Sequence, residues 1–240
     1  MPTIPLANLA LAFIPVGAVI YILHRWLLNS GTAAWSVTRM LGQLLLVGYV
    51  LTFIFASEHA AVVLGVLAVM LLVSSWIALR PLVRRKRALY LRALIAISIG
   101  GVSTLALITG AVLDLEPWFA PNMMIPLAGM IFANAMNTVS VAAERFESES
   151  AREDYTQSRS RAMNAAMIPV INSMFAVGLV SLPGMMTGQI LSGVDPLIAV
   201  RYQVMVMCMI FGSAGIATAC YLRLMAPRPS IADPELVGSE

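Results

Sequence analysis

A chain of 240 residues that is 60% hydrophobic and 11% charged falls far short of the roughly 25% charged residues of soluble domains. Its mean hydropathy is +0.86, so lipid rather than water must solvate most of its surface. The net charge of +3 does not mark a nucleic-acid partner, because the basic residues are sorted by their position between apolar segments.

Seven apolar stretches cover residues 4–23, 34–55, 60–79, 93–112, 123–143, 163–191 and 198–222. Each approaches or exceeds the roughly 20 residues that a helix needs to cross a bilayer. In hydrocarbon every backbone N–H and C=O needs an internal partner, which leaves helices or a closed barrel. Continuous apolarity without period-two alternation excludes the barrel. The expected fold is an all-α polytopic membrane protein with about seven transmembrane helices. Residues 1–228 are expected to form one transmembrane domain and 229–240 a disordered tail.

The first stretch has no basic lead-in and no small-residue cleavage site, so it reads as a permanent helix rather than a signal peptide. Arg25 and Arg39 flank the first connection. Arg80, Arg84, Arg85, Lys86, Arg87 and Arg92 fill the third, Arg145, Arg152, Arg159 and Arg161 the fifth, and Arg223 and Arg228 follow the last stretch. Of the 15 Lys and Arg, only Arg201 lies on the other side. The opposite connections carry Glu58, His59, Asp114, Glu116 and Asp195. The positive-inside rule then puts the N-terminus outside and the C-terminus in the cytoplasm of a multi-pass inner (plasma) membrane protein. Basic runs beside membrane helices are what anionic lipids attract.

The fifth stretch carries polar residues inside the span. Met130, Asn134, Asn137, Val141 and Glu144 recur at steps of four, three, four and three, which places them on one helical face. Carboxamides inside a membrane need partners or a polar path. The stripe reads either as a path that passes a cation from Glu144 to Asn137, Asn134 and Met130, or as hydrogen-bonding glue between helices. Residues 144–162 are charged, mixed in sign and free of Gly and Pro, and are expected to continue the helix into the cytoplasm.

The sixth stretch holds Pro169, Pro183, Gly184 and Gly188. Interior prolines break the backbone ladder, and Gly184 and Gly188 form a small-xxx-small face. It reads as a hinge beside a path or as a kinked packing helix. The 16 methionines gather in the second half and suit either soft-metal binding or adaptable packing. Cys208 and Cys220 lie twelve residues apart in the last stretch, about 18 Å along a helix, too far to bridge.

Enzyme signatures are absent: there is no GxxxxGK[ST] phosphate loop, HExxH, CxxC or GxSxG. His24 and His59 are expected at opposite faces of the membrane. No cofactor is expected in this chain.

The segments PLAGMIFANAMNTVSVAAERFESE and NSMFAVGLVSLPGMMTGQILSGVDPLIAVRYQ, with LGQLLLVGYVLTFIFA upstream, resemble the iron-export ABC-transporter permeases of the FetB type, a family that includes a plant aluminium-tolerance permease. The resemblance runs from about Trp35 to Leu222. It implies a permease, paired as a homodimer, that exports iron or a related metal ion and is driven by a separate cytoplasmic ABC ATPase carrying ATP and Mg. Glu147, Arg152 and Arg159 are then the candidate contacts to that ATPase. The chain departs from the family in a shortened cytoplasmic segment that lacks a Leu-Gly-Ala triplet, which puts coupling in question. The rival readings are an ATPase-independent secondary metal or ion transporter or channel, and a non-transporting membrane scaffold.

Overall fold

The computed structural model describes residues 4–55, 59–82 and 87–227. Glu58, Arg84, Arg85, Lys86, Arg228 and the tail 229–240, all assigned places by the charge pattern, lie outside the described residues. Among those described there is no strand, and the chain groups into two compact units, Met1–Ser57 and Glu58–Glu240.

In the first unit, α1 (Leu6–Leu11) and α2 (Phe13–Arg25) follow one another across Ala12. The chain then turns through Leu27, at φ +57°, into α3 (Ser30–Phe55). Asn29 caps α3, its Oδ1 accepting a hydrogen bond from Thr32 N at 3.0 Å. No residue of α1, α2 or α3 is buried. These helices are mostly apolar, as befits a lipid environment.

The second unit comprises α4 (Ala60–Ala78), α5 (Arg87–Ile97), α6 (Ser103–Leu107), α7 (Pro121–Glu149), α8 (Tyr155–Ala176), α9 (Gly184–Leu191) and α10 (Pro196–Leu224). α7 forms its centre and packs along α10, α8 and α4. Leu127, Ala128, Ile131, Ala135 and Val139 are almost fully buried there. Counting α1–α2 as one rod and 87–112 as another, six helices among the described residues are long and apolar enough to cross a membrane.

The rod 87–112 is not a plain α-helix. Two π-helical turns, Ser98–Val102 and Ile108–Val112, interrupt it around α6. Ser103 donates to Ile99 O, Thr104 to Gly100 O at 2.7 Å and Thr109 to Leu105 O at 2.9 Å, so side-chain hydroxyls supply partners to carbonyls of the widened turns. The first π turn brings Gly100 and Gly101 against the neighbouring helices. A Cβ at Gly100 would lie 2.6 Å from Ala217 N and 2.7 Å from Ser213 O of α10, and one at Gly101 2.8 Å from the Phe132 ring of α7. Only residues without a side chain let these backbones approach so closely.

Two expected elements differ. The stretch 163–191 is not one span. α8 ends at Ala176, and Ala176 O accepts from Val180 N at 2.8 Å and Ser181 N at 3.1 Å. Gly178, at φ +84°, takes the left-handed conformation that glycine tolerates. α9, with eight residues, is about 12 Å long and cannot cross a bilayer. Residues 144–162 are helical but not one helix. α7 stops at Glu149, and Asp154 caps α8, its Oδ1 accepting from Gln157 N at 2.7 Å. No Gly or Pro is needed for this break. The ion pairs described below join the start of α8 to the end of α7.

Candidate functional site

The polar stripe of α7 faces α8 over its middle third. Asn134, Asn137, Thr138 and Val141 line one wall of a cavity of about 160 Å³, and Pro169, Val170 and Ser173 of α8 line the other. Asn134 Nδ2 donates to Met130 O at 2.8 Å, one turn back on its own helix. Among the described residues, neither Asn134 Oδ1 nor the Asn137 carboxamide has a hydrogen-bond partner. Thr138 Oγ1 sits on the same helix's Asn134 and Ala135 carbonyls at 3.1 Å each and reaches Ala214 O of α10 at 3.4 Å. Across the cavity, Pro169 brings no N–H, so the Ala165 carbonyl loses its helical partner. Ser173 Oγ donates to Val170 O at 2.7 Å. The cavity therefore presents carboxamide and hydroxyl oxygens between α7 and α8. Such oxygens suit hard cations.

The structure thus brings Asn134 and Asn137 together and leaves the ends of the stripe out. Met130 does not line the cavity; only its carbonyl takes part, through Asn134. Glu144 is exposed and does not line it either. Ten residues separate it from Asn134, about 15 Å along the helix. No group of three or more His, Cys, Asp or Glu is placed to hold a metal among the described residues. The sequence reading passed over Thr138 and Ser173, small polar residues in apolar runs, whose partners are fixed by helix packing.

The hinge candidates are also placed. Pro183 precedes α9, and its carbonyl accepts from Thr187 N at 3.0 Å and Thr187 Oγ1 at 3.1 Å. A Cβ at Gly184 or Gly188 would meet nothing within 4 Å, so among the described residues neither glycine is used for close helix contact. Among the described residues that use belongs to Gly100 and Gly101.

At the end where α7 stops and α8 starts, Glu147 and Arg152 are exposed. Arg159 instead lies over the Tyr155 ring, 5.4 Å from its centroid. The organising residue is Glu149, which the sequence reading did not single out. Its side chain is only 11% exposed, and it pairs with Arg145 at 2.6 Å and Arg161 at 2.8 Å. Arg161 also reaches Glu153 at 3.1 Å. The hydrogen bond to Glu149, with the charges of Glu153 and Glu149, holds the Arg161 guanidinium pKa above its usual value. Tyr155 Oη donates to Leu222 O of α10 at 2.9 Å, which ties the same end to a third helix.

A sequence model of the uncharacterised protein family UPF0014 matches residues 6–156 and 149–228. The two matches overlap at the α7–α8 connection, where the sequence analysis placed a shortened segment. The chain is 36% identical to the UPF0014 membrane protein slr1647 of Synechocystis, over 81% of this chain and 82% of that protein. It is 36% identical to the probable iron export permease protein FetB of Escherichia coli, over 90% and 89% of the two chains. It is 31% identical to the protein ALUMINUM SENSITIVE 3 of Arabidopsis thaliana, over 80% and 76%. No solved structure matches the chain.

Proposed function

The chain belongs to the UPF0014 family of membrane proteins, and from that premise we propose that it is the permease subunit of a transporter that exports iron or a related metal ion, energised by a separate ATPase. The observation that carries the reading is the oxygen-lined cavity between α7 and α8. Asn134 is half-buried and Asn137 exposed, so their carboxamide oxygens stand open to a passing cation, and polar side chains within membrane helices commonly mark ion paths. The name of the Escherichia coli relative supports the cargo. The missing phosphate loop supports an energy source on another chain.

In this reading Asn134 and Asn137 pass the ion. Glu144, exposed and just under one turn beyond Val141 at the cavity's edge, attracts cations to the mouth without ligating them inside. Met130 supports the path through its carbonyl. Glu147 and Arg152, exposed at the α7–α8 turn, contact the ATPase. The segment around Gly178 and Pro183 supplies the moving part. The basic connections face the cytoplasm, with the N-terminus outside, and the permease works as a homodimer.

The test is iron efflux from cells carrying Asn137→Leu or Glu144→Gln at matched protein levels. Asn137→Leu is expected to slow efflux about tenfold, the equivalent of roughly 1.4 kcal/mol. Glu144→Gln is expected to slow it only at limiting iron. Wild-type efflux by Asn137→Leu would remove the cavity from the path. Efflux from liposomes holding this chain alone would refute the separate ATPase.

A further inference from the structure

A second, larger cavity of about 760 Å³ opens between the first turns of α8 and the last turns of α10. Its volume lies in the range of small-molecule sites, and it shares no residue with the α7–α8 cavity. Its walls are graded. Arg159, Arg161 and Arg223 stand at the end where α8 begins and α10 finishes, and Met163, Met167 and Leu222 line the apolar part. Arg159, Met163 and Met167 follow at steps of four and form one face of α8. Deeper in, Met167 Cε lies 3.7 Å from where a Cβ of Gly215 would stand on α10.

Among the described residues the charge at the mouth is not fully cancelled. Arg161 is spent on Glu149 and Glu153. Among the described residues no carboxylate pairs with Arg159 or Arg223. Arg159 rests on the Tyr155 ring, and Tyr155 is held to α10 through Leu222 O, so the guanidinium is positioned before any ligand arrives. A cationic mouth over a thioether-lined wall, between the start of α8 and the end of the membrane helix α10, matches one class of molecule: an amphiphile with an anionic head. Anionic headgroups of the cytoplasmic leaflet are attracted to such basic clusters, and guanidinium groups recognise phosphate through paired hydrogen bonds.

We propose that this cavity binds an anionic phospholipid, its phosphate against Arg159 and Arg223 and the upper part of an acyl chain over Met163 and Met167. The site is independent of the transport reading. A lipid seated there would bridge α8 to α10 at the end where α8 turns back from α7, and so stiffen the turn that carries Glu147 and Arg152.

The test is native mass spectrometry of the detergent-purified chain titrated with phosphatidylglycerol and phosphatidylcholine of equal chain length. The wild type is expected to retain phosphatidylglycerol more strongly by about fivefold for each of the two arginines. Arg159→Gln with Arg223→Gln removes the preference, and Met167→Trp, which fills the apolar part, lowers retention of phosphatidylglycerol with the arginines intact. Glycerol 3-phosphate in millimolar excess leaves the bound lipid in place. Equal retention of the two lipids by the wild type overturns the proposal, even if the double variant does not fold. So does unchanged retention by either variant, or displacement by glycerol 3-phosphate, which would mark a site for free phosphate esters.

Discussion

Gly100 shows what a single absent side chain does in this molecule. The nearest atoms to a Cβ there are backbone atoms of α10, Ala217 N at 2.6 Å and Ser213 O at 2.7 Å, which cannot rotate away. Alanine would gain about 1 kcal/mol of helix propensity but force two packed helices apart, and such overpacking costs roughly 1–3 kcal/mol. Gly100→Ala is therefore expected to lower the thermal unfolding midpoint in detergent by several degrees. Gly110→Ala, where a Cβ meets nothing within 4 Å, is expected to leave it unchanged or raise it. A midpoint unmoved by Gly100→Ala would mean the contact with α10 is not tight. Glu149 is the other instructive residue. Its i,i+4 spacing to Arg145 was legible as a helix pair. Its partnership with Arg161, across a turn, depends on α8 folding back.

Among the elements, α8 carries the clearest conflict between local preference and use. An interior proline costs a helix about 3 kcal/mol, and Pro169 stands directly on the cavity wall opposite Asn134 and Asn137. Restoring the N–H with Pro169→Ala is expected to stabilise the protein while slowing transport, because the Ala165 carbonyl would turn back into the helix ladder. Thermal midpoint and efflux rate, measured on the same preparation, check this. A stabilised variant with full efflux would show Pro169 to be structural only. The break between α8 and α9 is a different matter. Prolines and glycines in 163–191 announced an irregularity, but its start at Val177 and Gly178, ahead of Pro183, follows from the hydrogen bonds that Ala176 O collects. The π turns of 87–112 were not legible, since π geometry is imposed by the helices against which Gly100 and Gly101 pack.

For the whole molecule, the sorting of arginines predicts which ends face which solution. Ser150, after α7, and Ser192, after α9, should then lie on opposite sides. In a background with Cys208→Ser and Cys220→Ser, a membrane-impermeant maleimide added outside intact cells is expected to label Ser192→Cys and spare Ser150→Cys. The reverse pattern would invert the orientation. Composition and charge order by themselves determined that this is an all-helical, multi-pass membrane protein, roughly where its helices run, and that Asn134 and Asn137 share a face, because hydropathy and helical period are local properties of the chain. Tertiary structure alone decided that those two residues open onto Pro169 and Ser173 while Met130 and Glu144 do not, that Glu149 gathers two arginines, and that the close-packing glycines are Gly100 and Gly101 rather than Gly184 and Gly188. Each of those depends on which helix stands opposite and at what depth, and that is set by contacts between residues far apart in the chain.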